Sequence, residues 1–141
     1  MNSFQDLQHL AQVMHDPTIT AKQLGQFGET YAALWLRTQQ WRIIARNWSN
    51  RFGELDIIAL SPTGMLSFIE VKTRRSTLYG TPQEAITARK QSQIQKTARW
   101  WLYIHGSDYP HTGIRFDVIA IRVCMELAQP QVDCIEHVFS E

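Results

Sequence analysis

Three charged residues in two apolar, strand-like segments are the residues of this chain most suited to chemistry. Asp56 lies in residues 53–58, and Glu70 and Lys72 lie in residues 68–72. A charge in an apolar strand is costly unless it is paired, hydrated or bound to a metal. Two carboxylates, helped by the backbone carbonyl of Val71 and by water, can hold Mg²⁺ or Mn²⁺ beside a scissile phosphate, and the lysine can orient the attacking water. The pattern predicts a metal-dependent nuclease.

Strand geometry predicts how these residues meet. Side chains alternate along a strand, so Glu70 and Lys72 share one face and Val71 lies on the other. Asp56 comes opposite Glu70 if the two strands pair around a turn at residues 61–64. The alternative is that Glu70 and Lys72 form an ordinary ion pair at a strand end, which contributes little to stability when exposed.

Glu29 is a further candidate ligand, from a predicted helix. It follows two glycines, Gly25 and Gly28, each of which costs a helix roughly 1 kcal/mol relative to alanine. Glycines at that cost favour a close approach of the helix to another backbone, which would direct Glu29 over the sheet toward the metal. The alternative is a surface glutamate. Glu54 shares a strand face with Asp56 and is expected beside the site or paired with an arginine.

Composition is typical of a soluble globular protein and excludes several classes. The 141 residues are 44% hydrophobic and 11% aromatic, which excludes a disordered chain. We expect no membrane association, because no apolar run approaches the roughly 18 residues of a bilayer span. The N-terminus does not resemble a signal peptide. Cys124 and Cys134 are too few and too far apart for a disulfide scaffold, so we expect reduced thiols and a cytoplasmic protein.

Charge is distributed unevenly along the chain. The formal net charge is only +1, but residues 37–99 carry eleven Lys/Arg against four Asp/Glu. A basic surface around an acidic metal site suits a polyanionic substrate. The alternative is a solvated surface whose charges cancel in three dimensions. Six residues flank the site in sequence and are candidate phosphate contacts: Arg46, Arg51, Arg74, Arg75, Arg89 and Lys90.

Periodicity and turn residues predict an α/β fold. Helices are expected from Phe4 to Met14, from a Thr20 cap to about Gln39, and from a Thr81–Glu84 capping box to His105. Strands are expected over residues 41–48, 53–60, 65–73, 114–123 and 132–139. We expect a single domain over residues 1–141, with a helical extension at 1–20, a core at 21–123 and an edge strand or tail at 124–141.

Several ordered motifs resemble the YraN family of small bacterial proteins. They are Arg46-Asn47, Arg51, residues 53–58, residues 68–74, Pro82-x-Glu84-Ala85 and residues 115–118. The resemblance covers roughly residues 22–123. It implies membership of the PD-(D/E)XK nuclease superfamily, similar to Holliday junction resolvases, with a restriction-endonuclease-like mixed sheet flanked by helices in an α-β-β-β-α-β core.

The resemblance also implies residue roles. By position it makes Asp56 and Glu70 the metal-binding carboxylates, Lys72 the catalytic lysine, and Glu29 the helix glutamate that assists the metal. DNA, including branched DNA, is the implied substrate. Junction resolvases are two-fold dimers because their substrate has two cleavage sites, so a homodimer is one expected assembly.

Two other functions stay open at this point. One is a nucleic-acid-binding protein that keeps the fold without catalysis, suggested by the low net charge and by the glutamines of residues 91–95. The other is a protein–protein adaptor that uses the N-terminal helix and an exposed tryptophan. Of Trp100 and Trp101, one is expected in the core, and the other could stack on a base or on a partner protein. Core or partial burial is the preferred expectation for both.

Overall fold

The computed structural model describes residues 3–76 and 86–136 and confirms the predicted α/β class and order of elements. The helices are α1 (Ser3–Met14), α2 (Ala21–Thr38) and α3 (Ala88–His105), the last followed by a 3₁₀ turn at Gly106–Asp108. The strands are β1 (Arg42–Asn50), β2 (Gly53–Leu60), β3 (Met65–Ser76), β4 (Gly113–Cys124) and β5 (Gln131–Ile135).

The five strands form one mixed sheet in the order β1-β2-β3-β4-β5. Neighbours are antiparallel except β3 and β4, which run parallel from Met65↔Gly113 to Ser76↔Cys124. A parallel pair needs a crossover connection, and α3 lies within it. The strand β5 is at the edge, as expected.

Helices cover both faces of the sheet. One core, beneath α1 and α2, contains Leu36, Ile57 and Ile121, which are fully buried. The other, beneath α3, is built around Phe68 and Trp101. The two cores explain why the central strands are almost continuous apolar runs in the sequence, since both sides of such strands are buried.

The helix starts were only partly predicted. Thr20 caps α2 through the expected capping box, in which the Gln23 N–H donates to Thr20 Oγ1 and the Thr20 N–H donates to Gln23 Oε1. Helix α3 begins later than expected, at Ala88, and Thr87 Oγ1 caps it by accepting from the Lys90 N–H. The expected box at Thr81–Glu84 lies outside the described residues. Gly106 ends α3, as expected.

Strand bounds also differ from the sequence expectations. β1 continues to Asn50 and β3 continues to Ser76, because each finds a full-length partner in its neighbour. β5 ends at Ile135, and Glu136 already lies in a turn. In the described part of the chain, helices of the length and apolar character that a bilayer span requires are absent.

Candidate metal centre

Four carboxylates from three elements converge at the point where β2 leaves β3. They are Glu29 of α2, Glu54 and Asp56 of β2, and Glu70 of β3. Glu29, Glu54 and Asp56 each present an oxygen, and these oxygens lie within 4.8 Å of one another. Glu70 lies near this group, and the negative charge of Asp56 acts on its carboxyl group. The structure therefore brings together the predicted Glu29, Asp56 and Glu70 and adds Glu54 as a full member.

Asp56 is positioned by the end of a strand ladder. The pairing of β2 with β3 runs from Leu60↔Leu66 to Ile57↔Ile69 and stops there. The next residue of β2 is Asp56. Its side chain takes the place of a backbone hydrogen bond between the strands, because Asp56 Oδ2 accepts a hydrogen bond from the backbone N–H of Val71 at 2.9 Å. Val71 thus holds Asp56 through its N–H, and its expected part as a carbonyl ligand stays a prediction.

Side-chain alternation is broken at Asp56. Leu55 and Ile58 both join the core beneath α3, whereas Ile57 joins the core beneath α2. Strict alternation would have placed Leu55 and Ile57 on one face. The break lets Asp56 lie between Glu29, which comes from one side of the sheet, and Glu70, which is reached from α3 on the other.

Glu29 is positioned by the tight contact of α2 with β3. A Cβ at Gly28 would lie 1.9 Å from Thr73 Oγ1, so this position has no room for a larger residue. A Cβ at Gly25, by contrast, would meet nothing within 4 Å, and the expectation that Gly25 too marks a close approach is wrong. Arg46 steadies the same turn of α2 by donating to Thr30 Oγ1 at 3.0 Å.

Asn47 is a member of the site that was not expected from the sequence. Its φ is +53°, a left-handed conformation in which Asn is one of the few tolerated non-glycine residues. In the orientation that satisfies its amide, the NH₂ donates to Glu29 Oε2 at 3.1 Å and to Glu54 Oε1 at 3.0 Å. The available signal was an Asn inside an otherwise good strand, where Asn is disfavoured.

Burial and the crowding of the carboxylates raise the pKa values of two of them. Burial, followed by the charges of Asp56 and Glu54, raises the pKa of Glu29 to about 7, and Arg46 partly opposes this rise. Burial, followed by the charge of Asp56, raises the pKa of Glu70 to about 7, and Lys90 and Lys72 partly oppose it. Burial thus disfavours the charged form of both carboxylates, and the neighbouring negative charges add to this effect.

Several of the basic residues predicted from the sequence lie beside the acidic cluster or along a neighbouring cleft. Lys90 lies in the site, with Nζ 3.5 Å from Glu70 Oε1. Lys72, Arg74 and Arg75 line a cleft of about 530 Å³ together with Glu29. Within this cleft Arg74 donates to the Thr73 carbonyl and Arg75 to the Asp16 carbonyl.

Two other basic residues lie further out. Arg51 is in the β1–β2 turn, with its guanidinium over the ring of Phe52. Arg89 is exposed in the first turn of α3. A second polar cluster, in which Arg115 Nε donates to the fully buried Asp117 at 2.7 Å, is a structural ion pair within β4.

The donor set fits a hard divalent cation. All the converging groups are oxygens of carboxylates, with an amide oxygen available if the Asn47 side chain rotates, and such oxygens are the preferred ligands of Mg²⁺ and Mn²⁺. A cation would also offset the burial and the repulsion that together raise the pKa values of Glu29 and Glu70. Glu29, Glu54, Asp56 and Glu70 are the residues that would hold it.

Fold and site define an α/β protein with a mixed sheet and an acidic cluster beside two lysines. Residues 28–121 match the family described as "Uncharacterised protein family UPF0102". This match covers most of the chain, and the chain belongs to that family.

Similar proteins come from diverse bacteria. A UPF0102 protein of Bifidobacterium longum subsp. infantis is 47% identical over 126 residues, which are 89% of this chain and 100% of the relative. One from Trichlorobacter lovleyi is 43% identical over 82% of this chain and 89% of the relative. One from Aliivibrio salmonicida is 42% identical over 69% of this chain and 78% of the relative.

Proposed function

We propose that this chain is a divalent-metal-dependent endonuclease that hydrolyses DNA phosphodiester bonds, with branched or processed DNA as its substrate class. The observation that carries the proposal is the convergence of Glu29, Glu54, Asp56 and Glu70, two with a pKa of about 7, next to Lys72. Four carboxylates at one point destabilise the folded chain unless a cation neutralises them.

The order of elements supports the same assignment. Helix α2, strands β1 to β3, helix α3 and strand β4 follow the α-β-β-β-α-β order of the restriction-endonuclease-like fold that the YraN resemblance implies. In that arrangement the aspartate and the Glu-x-Lys motif lie on neighbouring strands, as Asp56 and residues 70–72 do here. Because one fold serves many activities, the site carries more weight than the fold in this assignment.

Each residue has a defined part in the proposed reaction. A bound Mg²⁺ or Mn²⁺ would supply a water of lowered pKa and neutralise phosphate charge. Asp56 and Glu70 would hold that ion, and the carboxylates of Glu29 and Glu54 lie close to Asp56. Lys72, in the same cleft as Glu29, orients the attacking water and offsets the charge that develops on the phosphate. Arg74 and Arg75 line the cleft where the flanking phosphates would lie.

The test is cleavage of a labelled panel of DNA structures with Mg²⁺ or Mn²⁺. The panel contains duplex, single-stranded, flapped and four-way-junction DNA. We expect cleavage by the wild type, loss of cleavage in Asp56→Asn, and a reduction of about 10²–10³-fold in Lys72→Ala, as for loss of one charge-stabilising donor. Asp108→Asn is the matched control, because Asp108 is an exposed carboxylate in the 3₁₀ turn beyond the far end of α3.

The outcome separates the nuclease from a binding protein of the same fold. Metal-dependent cleavage that disappears in Asp56→Asn and persists in Asp108→Asn supports the proposal. Salt-dependent DNA binding by the folded wild type, with no cleavage of any substrate, would refute it and favour a non-catalytic binder.

A further inference from the structure

An exposed aromatic cluster lies on α3, away from both cores. Trp101 is 2% exposed and packs edge-on against Phe68, whereas its neighbour Trp100 is 40% exposed and Tyr103 is 83% exposed. The ring of Trp100 is nearly parallel to that of Phe52, at 14° with centroids 6.2 Å apart, and edge-on to that of Tyr103 at 6.0 Å. Adjacent exposed aromatic rings of this kind mark a binding surface.

These rings form the wall of an open cleft of about 610 Å³ that is aromatic and cationic. Its lining consists of Phe52, Lys96, Arg99, Trp100 and Tyr103, which we name the aromatic platform. Arg51 borders it, with Cζ 4.9 Å from the centre of the Phe52 ring. Three cations therefore surround three aromatic rings.

The turn that carries Phe52 is fixed before any ligand arrives. The Phe52 N–H donates to Asn50 Oδ1 at 2.9 Å, which closes a tight turn between β1 and β2. Next to it, Gly53 lies against α3, since a Cβ at Gly53 would be 3.1 Å from Thr97 Oγ1. Phe52 and Trp100 are thus held side by side by the backbone, which lowers the entropic cost of binding a flat ligand.

The combination of rings and cations fits one class of partner. Unpaired bases stack on aromatic side chains, and the phosphates between them pair with Lys and Arg, whereas the bases of a duplex are already stacked on each other. A purely apolar protein segment would leave Lys96 and Arg99 without counter-charges. We propose that the aromatic platform binds unpaired nucleotides of a nucleic acid strand.

The position of the platform connects it to the candidate metal centre. Phe52 precedes Glu54 by two residues and Asp56 by four on the same chain segment. At about 3.3 Å per residue in a strand, these separations are roughly 7 and 13 Å. The backbone of a strand stacked on Trp100 would therefore pass close to the carboxylates. If these carboxylates form the proposed nuclease site, on which this step rests, the enzyme would prefer DNA that has unpaired nucleotides next to the cleavage point.

Binding is measured by fluorescence anisotropy with a labelled 12-nucleotide single strand, in EDTA so that no cleavage occurs. A base–aromatic stack is worth a factor of roughly 5–100 in affinity by alanine substitution, so we expect Trp100→Ala to weaken binding by such a factor. The control is Phe4→Ala, which removes another exposed ring, on α1. Thermal unfolding checks that both variants fold.

A strand with abasic sites separates stacking from a general loss of structure. The abasic strand carries the same phosphates without bases, so wild type and Trp100→Ala should bind it equally. Equal weakening of both strands by Trp100→Ala would overturn the proposal.

The cations provide a second, independent test. The double variant Lys96→Gln/Arg99→Gln keeps the rings and should reduce the slope of log affinity against log salt by about 1.4, at roughly 0.7 for each phosphate contact with a single strand. An unchanged slope would contradict the proposal. A change of oligomeric state in Trp100→Ala without a change in oligonucleotide binding would likewise refute it and make the cleft a protein–protein surface.

The variant Asp56→Asn keeps the two proposals distinguishable. It leaves the residues of the platform unchanged, so its binding of the single strand in EDTA should still be weakened by Trp100→Ala. If single-strand binding depends on Trp100 but no substrate is cut with either metal, the proposed nuclease fails and the platform stands. If cleavage depends on Asp56 but Trp100→Ala binds unpaired DNA normally, the platform fails and the nuclease stands.

Discussion

Replacing Glu70 by Gln should stabilise the metal-free protein at alkaline pH while impairing metal binding. Glu70 is 9% exposed, and its pKa is raised from 4.5 to about 7 by burial and by Asp56. The folded state therefore binds more protons than the unfolded state between these values, and the free energy of unfolding falls as the pH rises from about 4.5 to 7. Gln has the shape of the protonated acid without this titration.

The size of the change in the free energy of unfolding follows from the raised pKa of Glu70. A pKa of about 7 in the folded state against 4.5 in the unfolded state lowers the free energy of unfolding by about 3 kcal/mol above pH 7 and by under about 1 kcal/mol at pH 5. The ion pair with the partly exposed Lys90 lowers the pKa of Glu70, so a pKa of about 7 already includes its contribution.

Urea unfolding in EDTA at pH 5 and pH 8 measures the effect. We expect Glu70→Gln to raise the free energy of unfolding by about 2–3 kcal/mol more at pH 8 than at pH 5. The control is Glu126→Gln, which removes an exposed carboxylate and should show no such difference. Equal effects of Glu70→Gln at both pH values would refute the claim that the acidic cluster destabilises the metal-free fold.

Three further predictions concern the glycines of α2, Asn47 and His15. Gly28→Ala should lower the free energy of unfolding in urea by about 1–3 kcal/mol, because its methyl group would collide with Thr73. Gly25→Ala has open space around it and should raise the free energy of unfolding by about 0.5–1 kcal/mol. A stabilising Gly28→Ala with a destabilising Gly25→Ala would contradict the close contact of Gly28 with Thr73. Asn47→Asp should lower the thermal midpoint in EDTA, since a fifth carboxylate replaces an amide donor, and Mn²⁺ should restore it; no loss in EDTA would refute the bridging role. The pKa of His15 is raised, chiefly by a hydrogen bond to the Ala11 carbonyl, so its stabilising effect is complete below pH 6.5 and lost as the pH rises through the higher folded value. His15→Gln should therefore lower the midpoint more at pH 6 than at pH 8, and equal losses would contradict this.

The sequence predicts local structure and the central pair of carboxylates well. Thr20 and Gln23 specify the start of α2 by a contact three residues apart, which a linear pattern contains. The turn at residues 61–64 sets the register of β2 and β3, and continuing that register by one residue brings Asp56 opposite Glu70. Trp101 lies in the core as expected, whereas Trp100, for which core or partial burial is the preferred expectation, is 40% exposed.

The remaining features depend on contacts that a linear pattern does not contain. Regular strand geometry is interrupted twice at the site, by the left-handed φ of Asn47 and by the break in alternation at Asp56. Departures of this kind from regular geometry are concentrated at functional sites. The ion pair of Lys90 with Glu70 depends on how α3 packs across the sheet, after a parallel crossover between strands some fifty residues apart. Gly25 and Gly28 look alike in sequence, and only the position of Thr73 distinguishes them.

The most direct test of the central claim is a calorimetric titration of the metal-free protein with Mn²⁺ near neutral pH. If the cluster of Glu29, Glu54, Asp56 and Glu70 is a metal centre, the wild type and the Asp108→Asn control will bind Mn²⁺ with proton release, and Asp56→Asn will bind it much more weakly. Equal affinity in wild type and Asp56→Asn, or no binding by the folded wild type at millimolar Mn²⁺, would contradict the assignment of a metal centre.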